Sequence, residues 1–534
     1  MTTAPQGAAT SLSRSAAGMG AAAGVSRAFG AVRMIVIAAV LGTTYLGNAF
    51  QAANSVSNVL FELLAAGALS AVLVPTLVDL LSQPTTRRAE EVAGGVLSIA
   101  WVGLGVVTIG GIAAAPWIAE VLTSGVDDPA IASQQVELVT YLLRFFIPQV
   151  LLYALGAVTT AVLNAQHRFA LAAAAPIANT VVLVVAMAAF WQMAGPDPGL
   201  DLDASERLVL ALGGTLGVAA FVAVPAVGLR VSGFRLRFGV RRAWRDGDVR
   251  ALLGLSSWAA LQHAGTGVLL GAALIAGGGV AGGVVAYQLA MVVFLAPYGI
   301  VAQPILTTVL PRLAAEVGAG DEPAVRSSVR WAADAMVVTT VPIAAVVAAL
   351  SAPIMGILAF GEASEGGGPE LLGSALVGLA IGIPVYGGFL LLTRISYALG
   401  DSRDPALASV GSGVLGAAGM LLAAASTEGA DRLVLVGLAH TAAYGLGAIV
   451  LALRLRSEVG SVWHPGQLVP IAIAAVAGVL AWLAMEAWDP DGRLLTLLAV
   501  VVIGATATAL YGAAMWAVGA LPPRSPSVPG RVVA

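Results

Sequence analysis

Cysteine is absent from the 534 residues, which excludes a disulfide framework, a thiolate metal site and a cysteine nucleophile. Lysine is absent too, so all 26 basic residues are arginine, the side chain with a planar fork of donors suited to paired oxygens. Charge of either sign is scarce. Asp, Glu, Lys and Arg together make up 10%, against about 25% in an ordinary soluble protein. The sequence also lacks a GxxxxGK phosphate loop, an HExxH pair, a DxDxDG calcium loop and a G-x-S-x-G elbow, and its 4 histidines are scattered. These absences argue against an enzyme, against a bound metal or cofactor, and against an ATP-driven pump. The net charge of −3 singles out no partner.

What is abundant is apolar. Hydrophobic residues reach 59%, mean hydropathy is +0.92, and 64 glycines permit close helix contact. The expected fold is an all-α polytopic membrane protein. Apolar runs of spanning length fall near 25–47, 50–81, 91–115, 136–164, 168–194, 207–229, 251–277, 280–310, 328–359, 371–398, 405–426, 431–455, 466–487 and 494–519, about 14 transmembrane helices. Residues 1–20 form a disordered polar tail without the pattern of a signal peptide.

An internal repeat organises the first twelve helices. VLVPTL with Pro75 returns as TVLPRL with Pro311, an offset of 236; Pro116 returns as Pro353, an offset of 237; and Ile147-Pro148 returns as Ile383-Pro384, again 236. NAQHRFALA from Asn164 falls opposite GDSRDPALA from Gly400. Six helices per copy is an even number, so the two repeats run parallel, as in transporters with two like-oriented halves. The expected division is an N-lobe over 21–230, a linker over 231–250, a C-lobe over 251–456, a helix pair over 457–520 and a tail over 521–534. With the amino terminus in the cytoplasm, nineteen arginines from Arg14 to Arg531 fall on inside segments and only Arg207, Arg432 and Arg493 outside. That asymmetry places both termini in the cytoplasm. The stretch RVSGFRLRFGVRRAWRDGDVR, with seven arginines among Phe234, Phe238 and Trp244, reads as an amphipathic helix on the inner leaflet, held by anionic lipid. A linker between membrane lobes accounts for this composition without nucleic acid.

The first two helices carry the residues that do not belong in lipid. If helix 1 spans about 25–47, Arg27 reaches the near surface, whereas Arg33 lies about three residues from the middle, where an arginine costs roughly 2.5–3.5 kcal/mol unless it faces protein or water. In helix 2, Gln51, Asn54, Ser55, Asn58 and Glu62 share one narrow face. A polar stripe beside a buried cation describes the wall of a solvated cavity; helix-packing contacts are the alternative. With the turn at Gly47, Arg33 and Glu62 reach similar depth and are expected to be neighbours. The repeat register sets His263 opposite Arg27.

The stretch SRAFGAVRMIVIAAVLG…GNAFQAANSVSNVLFELLAAGALSAVLVPTL resembles the amino-terminal signature of the MviN/MurJ lipid II flippases, within the superfamily of multidrug, oligosaccharidyl-lipid and polysaccharide exporters. LNAQHRFALAAAAPIANTVVLV and LTRISYALGDSRDP resemble the family's segments at helices 4–5 and 10–11. The resemblance implies fourteen helices in the bacterial plasma membrane and alternating-access export of the undecaprenyl-pyrophosphate-linked peptidoglycan precursor, with the synthesis machinery as a possible partner. It also implies that Arg27 and Arg33 serve the substrate and that the last two helices receive the polyprenyl tail. Three positions depart from the family pattern: Asn48 stands for the Asp of its "DAF" motif, Phe61 for a helix 2 arginine, and Val292 for a helix 8 arginine. Arg144 and Arg394 are candidate compensating cations. The candidate substrate-binding set is therefore Arg27, Arg33, Asn48, Asn54, Asn58, Glu62, Arg144, His263 and Arg394. A drug or organic-cation antiporter using Glu62, and a non-transporting paralogue within the envelope machinery, are the alternatives.

Overall fold

The computed structural model describes residues 24, 28–61, 67–83, 85–250 and 257–520. Among them there is no strand, as lipid demands: a backbone with no water to bond must satisfy its own N–H and C=O groups. The chain divides into two compact units, residues 1–263 and 264–534.

The first unit runs α1 (Ala28–Leu41), α2 (Tyr45–Phe61), α3 (Gly67–Leu81), α4 (Arg87–Leu122), α5 (Pro129–Phe146), α6 (Gln149–Ala165), α7 (Phe169–Ala194), α8 (Ala204–Val231) and the short α9 (Val240–Arg245). The second runs from α10 (Ser257–Gly278), which straddles the division, through α11 (Gly283–Pro297) and α12 (Gln303–Gly318) to α13 (Glu322–Ala349) and α14 (Ser351–Leu358). It continues with α15 (Gly368–Ala380), α16 (Gly382–Ala398), α17 (Arg403–Ser426), α18 (Gly429–Val459), α19 (Leu468–Trp488) and α20 (Arg493–Ala517). Local chemistry sets several starts. Asp128 caps α5 by accepting from Ala130 N at 2.8 Å, with Pro129 as first helical residue, and Asp203 with Glu206 forms a capping box on α8.

By length and apolarity, eleven helices among the described residues can cross a membrane, and α15 with α16, bent by 42°, makes a twelfth. The expected count of fourteen is not reached by this measure, because α1 is short and the second expected span is described as α2 and α3 on either side of residues 62–66.

The repeat is visible element by element. Adding 236 to α2, α3 and α4 gives 281–297, 303–317 and 323–358; α11 and α12 occupy the first two, and α13 with α14 the third. Two differences appear. The 36-residue α4 is continuous, whereas its counterpart breaks at Leu350. The anchor after α6 also shifts: α6 ends with Arg168 N bonded to Leu163 O at 2.8 Å and His167 N to Asn164 O at 3.0 Å, and α16 ends with Asp401 N on Ser396 O at 2.9 Å and Gly400 N on Tyr397 O at 3.0 Å. This shared helix stop equates left-handed His167 (φ 60°) with Gly400 (φ 84°). The second copy is therefore three residues shorter there than the sequence alignment of Asn164 with Gly400 implies.

The linker is not one amphipathic helix. Residues 234–239 are non-helical and α9 has only six residues, because the linker is strapped to α4. Buried Glu90 accepts from Arg235 N at 3.1 Å and Arg237 Nε at 2.9 Å, while its own carbonyl accepts from Arg237 N at 3.1 Å. This extended segment passes so close to α4 that a Cβ at Gly94 would collide with the Arg237 backbone. Trp101 stacks on Phe238 at 5.6 Å. Arg88 then grips Asp246 with two bonds of 2.6 and 2.9 Å and Asp248 with a third of 2.6 Å.

The Arg88 guanidinium donating to Asp246 holds that carboxyl below the usual carboxylate range. A depressed folded pKa contributes stability above the unfolded value near about 4 and loses it as pH falls through the folded value. Asp246→Asn should therefore speed tryptic cleavage within 230–250 at neutral pH, where the carboxylate is ionised; equal rates at pH 7 would refute the clamp.

Candidate functional site

In the first unit, α1 ends at Leu41 and the chain turns through Gly42, whose φ of 70° is open to glycine without strain. The turn thus lies about five residues earlier than Gly47. Gln51 Nε2 meets Met34 Sδ at 3.5 Å, so the antiparallel register sets Arg33 level with Ala52, nine residues before the end of α2 at Phe61. Glu62 and Arg27 lie outside the described residues.

Arg33 is half-buried, and its Nε is a buried donor without a hydrogen-bond partner. An unpaired donor of a charged group costs about 1–3 kcal/mol or more. Among the described residues, Tyr153 of α6 is in electrostatic reach of it. The Tyr153 ring lies 5.2 Å from that of Phe61 and 6.5 Å from that of Phe221 on α8. Phe61 therefore belongs to an aromatic wall with Tyr153 and Phe221.

The polar stripe of α2 divides by burial. Asn48, Gln51 and Ser55 are buried, whereas Asn54 and Asn58 are half-exposed. Of the buried members, Gln51 reaches across to Met34 of α1. Ser55 donates back to Gln51 O at 2.8 Å. Ser57, buried between the two asparagines in sequence, donates to Gln149 Oε1 at 3.4 Å; Gln149 donates to Thr215 Oγ1 at 3.1 Å, and Thr215 to Phe145 O at 3.2 Å. Gln149 follows Pro148, where the α5–α6 span breaks, so this chain satisfies a polar break between α2, α6 and α8. Sequence reading singled out the Ile147-Pro148 pair as a repeat anchor but not Gln149 or Thr215, whose only signal is adjacency to that break. Gln135 likewise donates to Tyr45 O at 3.0 Å, pinning the start of α2 to α5.

The other expected site residues lie on separate elements. Arg144 is exposed in the last turn of α5, and Arg394 is exposed on α16 beside Tyr397. His263 is half-buried on α10. Val292 sits in the apolar α11.

The second unit holds an apolar groove of about 630 Å³ between α13, α16, α18 and α19, lined by Met336, Val341, Pro384, Leu391, Ile449 and Ile471 among others. One end is polar. Asp334 Oδ1 is met by His464 Nε2 at 2.8 Å and by Gln467 Nε2 at 2.9 Å, with Trp463 alongside. Of the last two helices only α19 lines this groove; α20 packs with α13 around a shallower depression at Val346, Gly504 and Thr508.

The fold defines the class. The backbone superposes on a lipid II flippase MurJ in an inward closed conformation with a TM-score of 0.70, at 15% identity over 93% of this chain and 98% of that one. An inward-facing multidrug-resistance MATE transporter of the MOP superfamily gives 0.63, at 15% identity over 81% and 94%. This is the architecture of multi-span membrane transporters. The particular family follows from sequence: the family model described as lipid II flippase MurJ matches residues 37–503, and the chain belongs to that family. Among relatives, a probable lipid II flippase MurJ of Rhizobium tropici is 26% identical over 477 residues, 87% of this chain and 85% of that protein. One of Rhizobium meliloti is 26% identical over 401 residues, 74% and 72%.

Gln149→Leu should lower the thermal stability of the purified protein by about 1–3 kcal/mol, since Ser57 and Thr215 each lose a partner. Thr308→Val, on an exposed hydroxyl of α12 that bonds only Pro304 O, should change it by less than about 0.5 kcal/mol. Equal effects measured by detergent melting would remove the network from the account.

Proposed function

We propose that this chain moves lipid II, the undecaprenyl-pyrophosphate-linked peptidoglycan precursor, from the inner to the outer leaflet of a bacterial plasma membrane by alternating access. Membership of the MurJ family over residues 37–503 supports the cargo. The observation that carries the chemistry is Arg33, a guanidinium on a membrane helix whose Nε is buried and lacks a partner. A pyrophosphate offers the paired oxygens such a fork is built for. Asn48, Asn54 and Asn58 on the adjoining helix and the Tyr153 hydroxyl are further donors for the headgroup. Arg27, Glu62, Arg144, His263 and Arg394 complete the proposed binding set. The apolar groove of the second unit suits a polyprenyl tail, whose burial is worth about 0.8 kcal/mol per CH₂.

In this reading both termini face the cytoplasm, as the arginine asymmetry requires. The exposed Arg235, Arg241, Arg245 and Arg250, with Phe238 and Trp244, meet anionic headgroups of the inner leaflet. Arg237 and Arg242 are engaged by Glu90 and Glu91 and contribute less.

The test is translocation of labelled lipid II in cells depleted of other flippases. Arg33→Ala should abolish it. Arg326→Ala, which removes an exposed pair with Glu322 of little energetic weight, should leave it intact. Growth supported equally by wild type and Arg33→Ala would favour the non-transporting scaffold, and drug efflux abolished by Glu62→Gln would favour the antiporter.

A further inference from the structure

Each repeat closes by laying the segment after its last helix across its own long helix, α4 in the first copy and α13 in the second. In the first, Gly239 N donates to Ser98 Oγ of α4 at 3.1 Å. Adding 236 to Ser98 gives Asp334 of α13, and residues 460–467, which follow α18, meet it. His464 Nε2 lies 2.8 Å and Gln467 Nε2 2.9 Å from Asp334 Oδ1. A carboxylate oxygen only accepts, so Nε2 of His464 carries the hydrogen. Gln467 Nε2 also donates to Val462 O at 3.1 Å.

The copies differ in what lies beneath that segment. In the first, Phe234, Ala243 and Val249 of the linker fill a core with Leu97 and Val158, and Trp101 spans from α4 to α6 by donating to Leu151 O at 3.0 Å. The repeat register turns Trp101 into Val337 and Leu151 into Gly387. With those two large side chains gone, the second copy has the apolar groove of about 630 Å³, lined by Val337 and Gly388 and, from the segment itself, Trp463 and Gln467. The fastenings differ as well. Glu90 and Gly94, which secure the linker, correspond to Arg326 and Arg330. Asp334 supplies its two bonds in their place.

We propose that residues 460–467 form a hinged lid over one end of this groove, latched by Asp334, and that a polyprenyl chain enters the groove when the latch lets go. The inference rests on the flippase reading for the chain admitted, and on the contacts of Asp334 for the lid.

The latch is built to be exchangeable. The side chains of His464 and Asp334 are 31% and 23% exposed, so water can replace each bond as it breaks, at a small net cost. Gly460, at φ 79°, ends α18 and gives the segment a swivel on one side; the short turn Pro465–Gln467 leads into α19 on the other. A Cβ at Gly466 would stand 2.9 Å from His464 Nδ1, so the ring folds back over this turn to reach Asp334. Trp463, half in the groove lining and half exposed, suits a boundary between an apolar interior and water in either position. Beyond the latch the groove wall is apolar, with Met336, Val341, Leu391 and Ile449, which fits a hydrocarbon chain and not a headgroup.

The chain has no cysteine, so one introduced thiol reports on the groove alone. Leu391→Cys places it on the α16 wall, where the residue is 2% exposed. In the full chain in phosphatidylethanolamine–phosphatidylglycerol vesicles, adding Asp334→Ala should speed modification of that thiol by N-ethylmaleimide about tenfold, as loss of a charge-assisted bond requires. Adding Ser98→Ala, the same change in the firmly fastened copy, should leave the rate unaltered. Should Asp334→Ala fail to fold, His464→Phe removes one bond, keeps a ring of similar size, and should speed modification in the same sense. A second protein, Asp334→Cys with His464→Cys, is bridged by a bifunctional methanethiosulfonate. The bridge should slow translocation of fluorescent lipid II by about fivefold or more, and reduction should restore it. An unchanged thiol rate in Asp334→Ala or His464→Phe overturns the latch, and unchanged translocation under the bridge overturns the lid; both leave the flippase reading standing. If wild type moves no lipid II at all, that reading falls, and the thiol rates decide the latch alone.

Discussion

The constraint on which this molecule rests is that a polar group inside the bilayer must find its partner within the protein. Water is not there to replace a missing hydrogen bond, and leaving a donor unmade costs several kcal/mol. Helices answer this for the backbone. For side chains the answer is local and explicit: Ser57, Gln149 and Thr215 close a chain across the Pro148 break, and Gln135 reaches back to Tyr45 O. Serines and threonines elsewhere bond to the carbonyl one turn behind, as Ser98 does to Gly94 and Thr340 to Met336.

Against that background the exceptions carry information. Among the few buried side-chain atoms left without a partner are Arg33 Nε in the first unit and His440 Nε2 in the second. Threonine hydroxyls and amide oxygens account for most of the rest, and those groups tolerate partial satisfaction more cheaply than a guanidinium or an imidazole. One unit thus keeps a cation with open donor capacity, the other a buried imidazole with one ring nitrogen unpartnered.

Pseudo-symmetry sharpens the comparison. The same 236-residue register that lays α2 over α11 and α3 over α12 leaves α4 whole but breaks its counterpart at Leu350. Gln51 holds Met34 in the first copy, and Tyr287 at the matching position holds His440 in the second. Duplicated architecture has been given different polar chemistry in each half.

Much of this was legible in the linear chain. Low charge, long apolar runs and recurring prolines determined an all-helical membrane protein with two parallel repeats, because length and hydropathy alone decide whether a segment crosses lipid. Arg33 stood out for the same reason. Side-chain burial on α2 did not, since Asn48, Gln51 and Ser55 differ from Asn54 and Asn58 only in which neighbour each faces. The turn at Gly42 rather than Gly47 was also hidden, and with it the partner level of Arg33, because an apolar run does not mark where a glycine takes positive φ. The linker looked like a free amphipathic helix until Glu90, 147 residues earlier, was found holding Arg237. Sequence carries the solvent preference of each segment; only the tertiary structure, by bringing distant polar atoms within 3 Å or failing to, decides which of them are spent on packing and which remain for a ligand.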